Sequence, residues 1–189
     1  MERRGSWRRH GGHVLCETPH LSVRRDRVTR PDGQADTYDW VEAPDLVRVA
    51  ALVESCLLVV EQYHYLIGMT WQLPGGDVAP EDLGPRAAAE RELREETGYH
   101  GGCWTSHGAL HPLPGLSPLR VHLWSAAGLS AGRPQGGDPG EADLKVHHVP
   151  LPEVVSAARD GRIACAVSAA LVLAIAVEGT AGHRTVSKD

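Results

Sequence analysis

Nine residues constrain this chain more than any other stretch: Arg91–Tyr99, which reads Arg-Glu-Leu-Arg-Glu-Glu-Thr-Gly-Tyr. Glu92, Glu95 and Glu96 stand at i, i+3 and i+4. On a helix their carboxylates share one face, within an arc of about 100°. Three clustered anions repel one another. A hard divalent cation reverses that penalty, because carboxylate oxygens are the ligands Mg²⁺ prefers. The local sequence supports the helix. Pro85 suits a first turn, Arg86-Ala87-Ala88-Ala89 are strong helix formers, and Gly98 suits the left-handed position that stops a helix. A solvated charged helix is the ordinary fate of a Glu/Arg run. Here, however, a double glycine, Gly75-Gly76, lies upstream as a loop preceding the helix.

Length and composition narrow the classes. A chain of 189 residues fits one domain, or one domain with a small appendage. The net charge is −5 with no basic stripe, so electrostatics point away from nucleic acid. Cys16, Cys56, Cys103 and Cys165 are scattered without zinc-ligand or redox spacing, so free thiols and a cytoplasmic location are expected. No signal peptide is expected, since the charged Met1-Glu2-Arg3-Arg4 has no apolar run behind it. The most apolar segment, Ile163–Val177, is too short to span a bilayer and is interrupted by Ser168; it reads as a buried helix. The eleven histidines are dispersed and form no zinc pattern.

Periodicity gives the organisation. Residues 1–12 are basic and glycine-rich and are expected to be mobile. Residues 13–45 read as a small N-terminal β region: strand material over His13–Val28, a turn at Pro31-Asp32-Gly33, and a return strand over Thr37–Glu42. Residues 46–178 read as the main domain. Its strands are Val47–Val53, Leu57–Gln62, Trp104–Leu110, Leu119–Ala126 and Leu144–Pro150. Trp71–Leu73 is extended, and the helices are the glutamate helix, Pro152–Asp160 and Ile163–Val177. Gly132–Asp143 is a Gly/Pro-rich loop, and residues 179–189 a flexible polar tail. The alternation predicts an α/β fold, a mixed central sheet flanked by helices.

The stretch from Pro74-Gly75-Gly76 to Gly98-Tyr99 resembles the Nudix box: Gly, five residues, Glu, seven residues, then Arg-Glu-hydrophobic-any-Glu-Glu-any-Gly-hydrophobic. Gly76, Arg91, Glu92, Leu93, Glu95, Glu96, Gly98 and Tyr99 fit. At the isolated acidic position stands Asp82, five residues after Gly76, with the loop to Arg91 one residue longer than the pattern. Glu81, one place early, is the alternative. Outside the box the chain looks most like the ADP-ribose pyrophosphatase branch of the Nudix hydrolases. Trp71-Gln72-Leu73-Pro74-Gly75-Gly76 is similar to the branch's lead into the box, with Gln72 replacing glutamate. Glu61-Gln62-Tyr63-His64 resembles its Gln-Tyr-Arg segment, with His64 in place of arginine, and His111–Ser117 resembles its Pro-Gly segment.

The resemblance implies an α/β/α sandwich and a homodimer to which the N-terminal strands contribute. It also implies an enzyme that uses Mg²⁺, with Mn²⁺ as the alternative, to hydrolyse the diphosphate of a nucleoside diphosphate derivative. ADP-ribose or an ADP-sugar would give AMP and a sugar phosphate. Another nucleotide-sugar, a dinucleotide or a biosynthetic nucleotide intermediate is the second reading. A non-catalytic nucleotide-binding sensor is the third, and retention of every glutamate on the helix argues against it. The partner is a small-molecule nucleotide, with no nucleic acid and no membrane.

Glu92 and Glu96, one turn apart, are the leading metal ligands, with Glu95 third. The Gly75 carbonyl adds a backbone oxygen, since a residue without a side chain allows close approach. Arg91 can pair with Glu95 four residues on, either as a plain surface salt bridge or to orient the cluster. Related enzymes take a general base from an acidic loop after the sheet. Here that loop offers Asp138, Glu141 and Asp143; Glu141 is favoured, because a Gly/Pro-rich loop can move into a site, and Glu95 is the box glutamate to supply the base otherwise. Gly76, His64, Pro114 and Gly115, within the resembling segments, are the candidate substrate contacts. Trp40 joins them, because with Tyr38 it can serve an interface or stack on a base.

Overall fold

In the computed structural model, which describes residues 1–136 and 139–182, the chain divides into two compact units. The first comprises Met1–Asp45 and His111–Arg120. Its four strands, β1 (Glu2–Arg4), β2 (Trp7–Glu17), β3 (Ser22–Thr29) and β4 (Ala35–Glu42), form an antiparallel meander in chain order. Thr18 closes the β2–β3 turn: its Oγ1 accepts the amides of His20 and Leu21, and its own N–H donates to the Leu21 carbonyl. At the β3–β4 turn Gly33 takes φ 84°, a left-handed conformation that costs glycine least.

The sequence starts the first strand at His13; the structure starts β2 at Trp7 and places β1 before it. Composition made this basic, glycine-rich start look mobile. Two contacts order it. Arg9 makes a two-pronged ion pair with the buried Asp26 carboxylate, 2.7 and 2.9 Å. Gly12 leaves room beside the same side chain: a Cβ there would lie 2.0 Å from Asp26 Oδ1.

The second unit, Leu46–Leu110 and Val121 onward, is a mixed α/β domain. Its strands are β5 (Leu46–Val53), β6 (Cys56–His64), β7 (Gly68–Gln72), β8 (Cys103–Leu110), β9 (Val121–Ala127) and β10 (Lys145–Pro150). The sheet runs β10-β6-β5-β9-β8, with β7 also paired to β6; β5 and β9 are parallel and the other pairs antiparallel. The helices are α1 (Pro85–Thr97), α2 (Leu151–Asp160) and α3 (Ala166–Gly182). On β5, the alternate residues Val47, Val49 and Ala51 form a fully buried cluster with Ala88, Ala89 and Leu93 of α1. The strand period of two leaves the intervening residues to the other face. There α3 packs on β5, and α2 on β6 and β10. Helices on both faces explain why Leu57–Val60 forms a continuous buried run.

Helix α1 has the expected ends. Pro85 is at its first turn, and Gly98 has φ 79° with its N–H on the Arg94 carbonyl, 2.9 Å. Helix α3 starts at Ala166, later than its apolar run suggested, because Ile163 is buried in a parallel bridge with Trp71. Ser168, which interrupts that run, is buried and accepts the Leu73 amide at 3.2 Å. The β6–β7 hairpin turns through Tyr65-Leu66-Ile67, with Gly68 at φ 82°; Tyr65 is 91% exposed and Leu66 89%. No helix among the described residues is long and apolar enough to cross a membrane.

Candidate active site

The Pro74-Gly75-Gly76 loop continues the sheet alongside β5. Val49 N–H donates to the Pro74 carbonyl and Val47 N–H to the Gly76 carbonyl, each at 2.9 Å. This position demands glycine. Gly75 has φ 139°, and a Cβ there would fall 2.3 Å from the Val47 carbonyl oxygen. At Gly76 a Cβ would sit 2.6–2.8 Å from the carboxylate atoms of Glu92. The double glycine is therefore the clearance that lets the backbone lie against the carboxylates of α1.

Glu96 is 5% exposed and accepts the Gly75 amide on Oε2 at 3.0 Å. Burial pushes its carboxyl up to about 8. The Arg48 charge and the Gly75 N–H pull the other way, while the charges of Glu141 and Glu92 add to the rise. Glu92 is raised too, first by burial, with Arg91 opposing and Glu95 and Glu141 adding. Glu141 ends a short 3₁₀ turn, Pro139–Glu141, whose Gly140 carbonyl accepts Gln62 Nε2 at 3.2 Å. Its charge thus bears on both buried glutamates, whereas Asp143 is exposed. Asp138 lies outside the described residues.

Arg91 ties the cluster together. Its Nη1 donates to Glu92 Oε1 and Glu95 Oε2, both at 2.9 Å. Its Nε and Nη2 grip Asp82 at 3.1 and 3.0 Å, and Nη2 also reaches the Asp77 carbonyl. The Asp82 side chain is only 6% exposed, so this is more than a surface pair. Of the two acidic candidates before the helix, Asp82 meets Arg91 and Glu81 is exposed. The ion pair holds Arg91 raised and Asp82 lowered, each first through their mutual hydrogen bonds. Glu95 is the most exposed of the three box glutamates.

The candidate substrate contacts divide between the units. Gly76 belongs to the glycine loop, and His64 stands where the β6–β7 hairpin turns, its carbonyl accepting the Ile67 amide. Trp40, Pro114 and Gly115 come together in the first unit. With Trp7, Tyr38 and Leu116 they line a cavity of about 430 Å³. Tyr38 donates its hydroxyl to the Gly115 carbonyl at 2.8 Å, Trp7 meets Tyr38 edge-on at 5.8 Å, and the Arg24 guanidinium lies 5.6 Å from the Trp40 ring centre. The walls suit a flat, partly apolar group.

Arg48 escaped the sequence reading. It interrupts the apolar run of β5, and that was the available signal. Its Nη1 donates to the Gly75 carbonyl and, at 3.0 Å, to the Val47 carbonyl; Nη2 lies 3.5 Å from Gln72 Oε1.

Among the described residues, no group of three His, Cys, Asp or Glu side chains is placed to hold a metal ion by itself. The donor chemistry nonetheless fits a hard divalent cation. Glu92 and Glu96 are buried carboxylates whose charges burial penalises, and the residue whose amide meets Glu96, Gly75, offers its carbonyl oxygen to Arg48. Mg²⁺ takes one or two carboxylates and completes its shell with water and substrate oxygens, so a full protein cage is not required.

The NUDIX domain family model matches residues 44–164, and the nucleoside diphosphate sugar hydrolase N-terminal domain matches residues 7–41. The chain is 35% identical over 171 residues to an ADP-ribose pyrophosphatase of Mycobacterium tuberculosis, covering 86% of this chain and 81% of that protein. It is 27% identical over 173 residues to a CMP-5'-(N-acetyl-N-hydroxy-3-aminopropyl)phosphonate hydrolase of Streptomyces rubellomurinus, covering 89% and 82%. The crystal structure of an ADP compounds hydrolase shares the fold at a TM-score of 0.83, with 17% identity and coverage of 98% of this chain and 100% of that one.

Proposed function

The chain belongs to the Nudix family of hydrolases, and from that premise we propose that it cleaves the diphosphate of ADP-ribose or a related ADP-sugar, giving AMP and a sugar phosphate. One observation carries the reading: Glu96 is buried against the Gly75 amide beside Glu92, an arrangement whose paired charges burial penalises and a divalent cation would offset. The aromatic cavity within the first unit suits a flat group such as a nucleobase. The similarity to the Mycobacterium protein supports adenine and ribose.

In this mechanism Glu92, Glu96 and the Gly75 carbonyl would hold Mg²⁺ or Mn²⁺, with Glu95 as third carboxylate. Bound there, the cation neutralises the diphosphate and acidifies water. Arg91 fixes the rotamers of Glu92 and Glu95 through its two donor contacts. Glu141 takes the proton of the attacking water, on a turn at the edge of a Gly/Pro-rich segment. Gly76 gives the substrate room beside Glu92, and His64, Trp40, Pro114 and Gly115 contact the nucleotide.

A second reading, another nucleotide intermediate, draws on the relative named for a CMP-linked phosphonate. The neutral Gln72 at the start of the glycine loop also favours it. The reading includes a homodimer, supported by large apolar side chains exposed on both units, Val14, Leu15 and Leu21 on one and Tyr65, Leu66 and Ile67 on the other. It also includes a cytoplasmic location, supported by four cysteines none of which is disulfide-bonded.

The test is a panel of ADP-ribose, other ADP-sugars and CMP-linked compounds with Mg²⁺ or Mn²⁺. AMP release from ADP-ribose that stops on chelation is the expected result. Faster release of CMP would favour the second reading, and no turnover of any diphosphate with either metal would reject both.

A further inference from the structure

Arg48 puts a positive charge on the Gly75 carbonyl, beside the proposed cation site. A guanidinium in mid-strand is out of character with the surrounding run of Val47, Val49, Ala50 and Ala51, all of them fully buried. Its Nη1 donates to the Gly75 carbonyl, the backbone oxygen offered to the metal, and to the Val47 carbonyl at 3.0 Å. Gly75 in turn donates its N–H to Glu96 at 3.0 Å, so one peptide residue links the guanidinium to the buried carboxylate. We propose that Arg48 is a resident counter-cation that competes with the divalent metal for the Gly75 carbonyl and so sets the metal affinity of the site.

The physics is one of like charges. A divalent ion on the Gly75 oxygen would stand a few ångströms from the guanidinium, inside a partly buried site where charges are poorly screened. Either Arg48 releases the carbonyl or the ion binds against its repulsion; both outcomes weaken metal binding to the protein alone. A diphosphate restores the balance by bringing its own negative charge, so metal and substrate load together. One nitrogen, Nη1, makes both carbonyl contacts, so lysine would keep the charge and a donor for the same two oxygens while losing the Nη2 contact to Gln72. Arg48 therefore acts as a positioning residue, through the metal and the Gly75 oxygen. The inference rests on the metal-dependent hydrolase reading, but its test needs no turnover and stands whichever nucleotide is cleaved.

The experiment is calorimetric titration of the whole protein with Mg²⁺ and with Mn²⁺, without substrate, for wild type, Arg48→Met and Arg48→Lys. Arg48→Met is expected to bind metal at least about tenfold more tightly, with Arg48→Lys close to wild type. Unchanged or weaker binding in folded Arg48→Met would overturn the proposal, because Arg48 would then be neutral toward the metal or support it. Should Arg48→Met fail to fold, the arginine side-chain NMR signals of wild type titrated with Mg²⁺ decide. A shift of the Arg48 signal supports the competition, and an unmoved signal at saturating Mg²⁺ refutes it.

Discussion

Arg91 and Asp82 meet through two hydrogen bonds, 3.1 and 3.0 Å, across the loop that leads into α1. The same guanidinium holds Glu92 and Glu95, so the loop and the carboxylate face are fixed by one side chain. Asp82 also accepts the Ala79 amide at 2.8 Å. Asp82→Ala is expected to lower unfolding free energy by about 1–3 kcal/mol, the cost of stranding partly buried donors. Urea denaturation measures it, and a change within about 0.5 kcal/mol would mean the contact is incidental.

Glu96→Gln should separate stability from activity. The amide oxygen can still accept the Gly75 N–H, while the buried charge is gone. The metal-free variant is expected to melt at a higher temperature than wild type and to lose at least about 10²-fold in kcat. Wild-type turnover in the folded variant would remove Glu96 from the metal set.

A pH dependence follows from the same carboxyl. Its folded value of about 8 lies above the ordinary 4.5, so the folded chain holds the proton more tightly than the unfolded one. The stability it lends is complete below 4.5 and is lost as pH rises through about 8. In chelator, wild type should lose stability across that window and Glu96→Gln should lose less. Parallel profiles for the two proteins would contradict the assignment.

Glu141→Gln should cut kcat strongly and leave KM for the nucleotide nearly unchanged, because a general base acts in the transition state. Asp143→Asn should matter much less, since that side chain is exposed and Glu141's charge is the one felt by Glu92 and Glu96. Kinetics of both variants at saturating Mg²⁺ compare them. Equal, mild effects would transfer the role to a box glutamate, with Glu95 the first to test.

Gly12→Ala tests the N-terminal strand. The added Cβ would lie 2.0 Å from Asp26 Oδ1 and 2.8 Å from the Arg25 carbonyl oxygen, forcing Asp26 away from Arg9. A loss of about 1–3 kcal/mol is expected from such overpacking. Thermal unfolding at wild-type temperature would mean that the strand relaxes freely.

Legibility followed how local the causes were. Helix α1 was readable because its stop, its Pro85 start and its carboxylate spacing are all written within one segment. Strands β5 and β6 were readable because burial on both faces leaves apolar runs. Residues 2–12 were not, because what orders them is Asp26, far along the chain. Arg48 was missed for the same reason: its partners, Gly75 and Gln72, come from another segment. The choice between Asp82 and Glu81 needed the position of Arg91, which spacing alone did not supply.

Ser168 has a consequence for any attempt to reshape the end of the chain. Its hydroxyl, in the first turn of α3, holds the amide of Leu73, the residue that leads into the glycine loop. The partner is a backbone group, which no substitution at Leu73 except proline can delete. Ser168→Ala would leave that amide sealed in the interior without an acceptor, and a chain trimmed before α3 would free it altogether. Trimming the chain into α3 thus reaches, through Leu73, the strand end that carries the glycine loop.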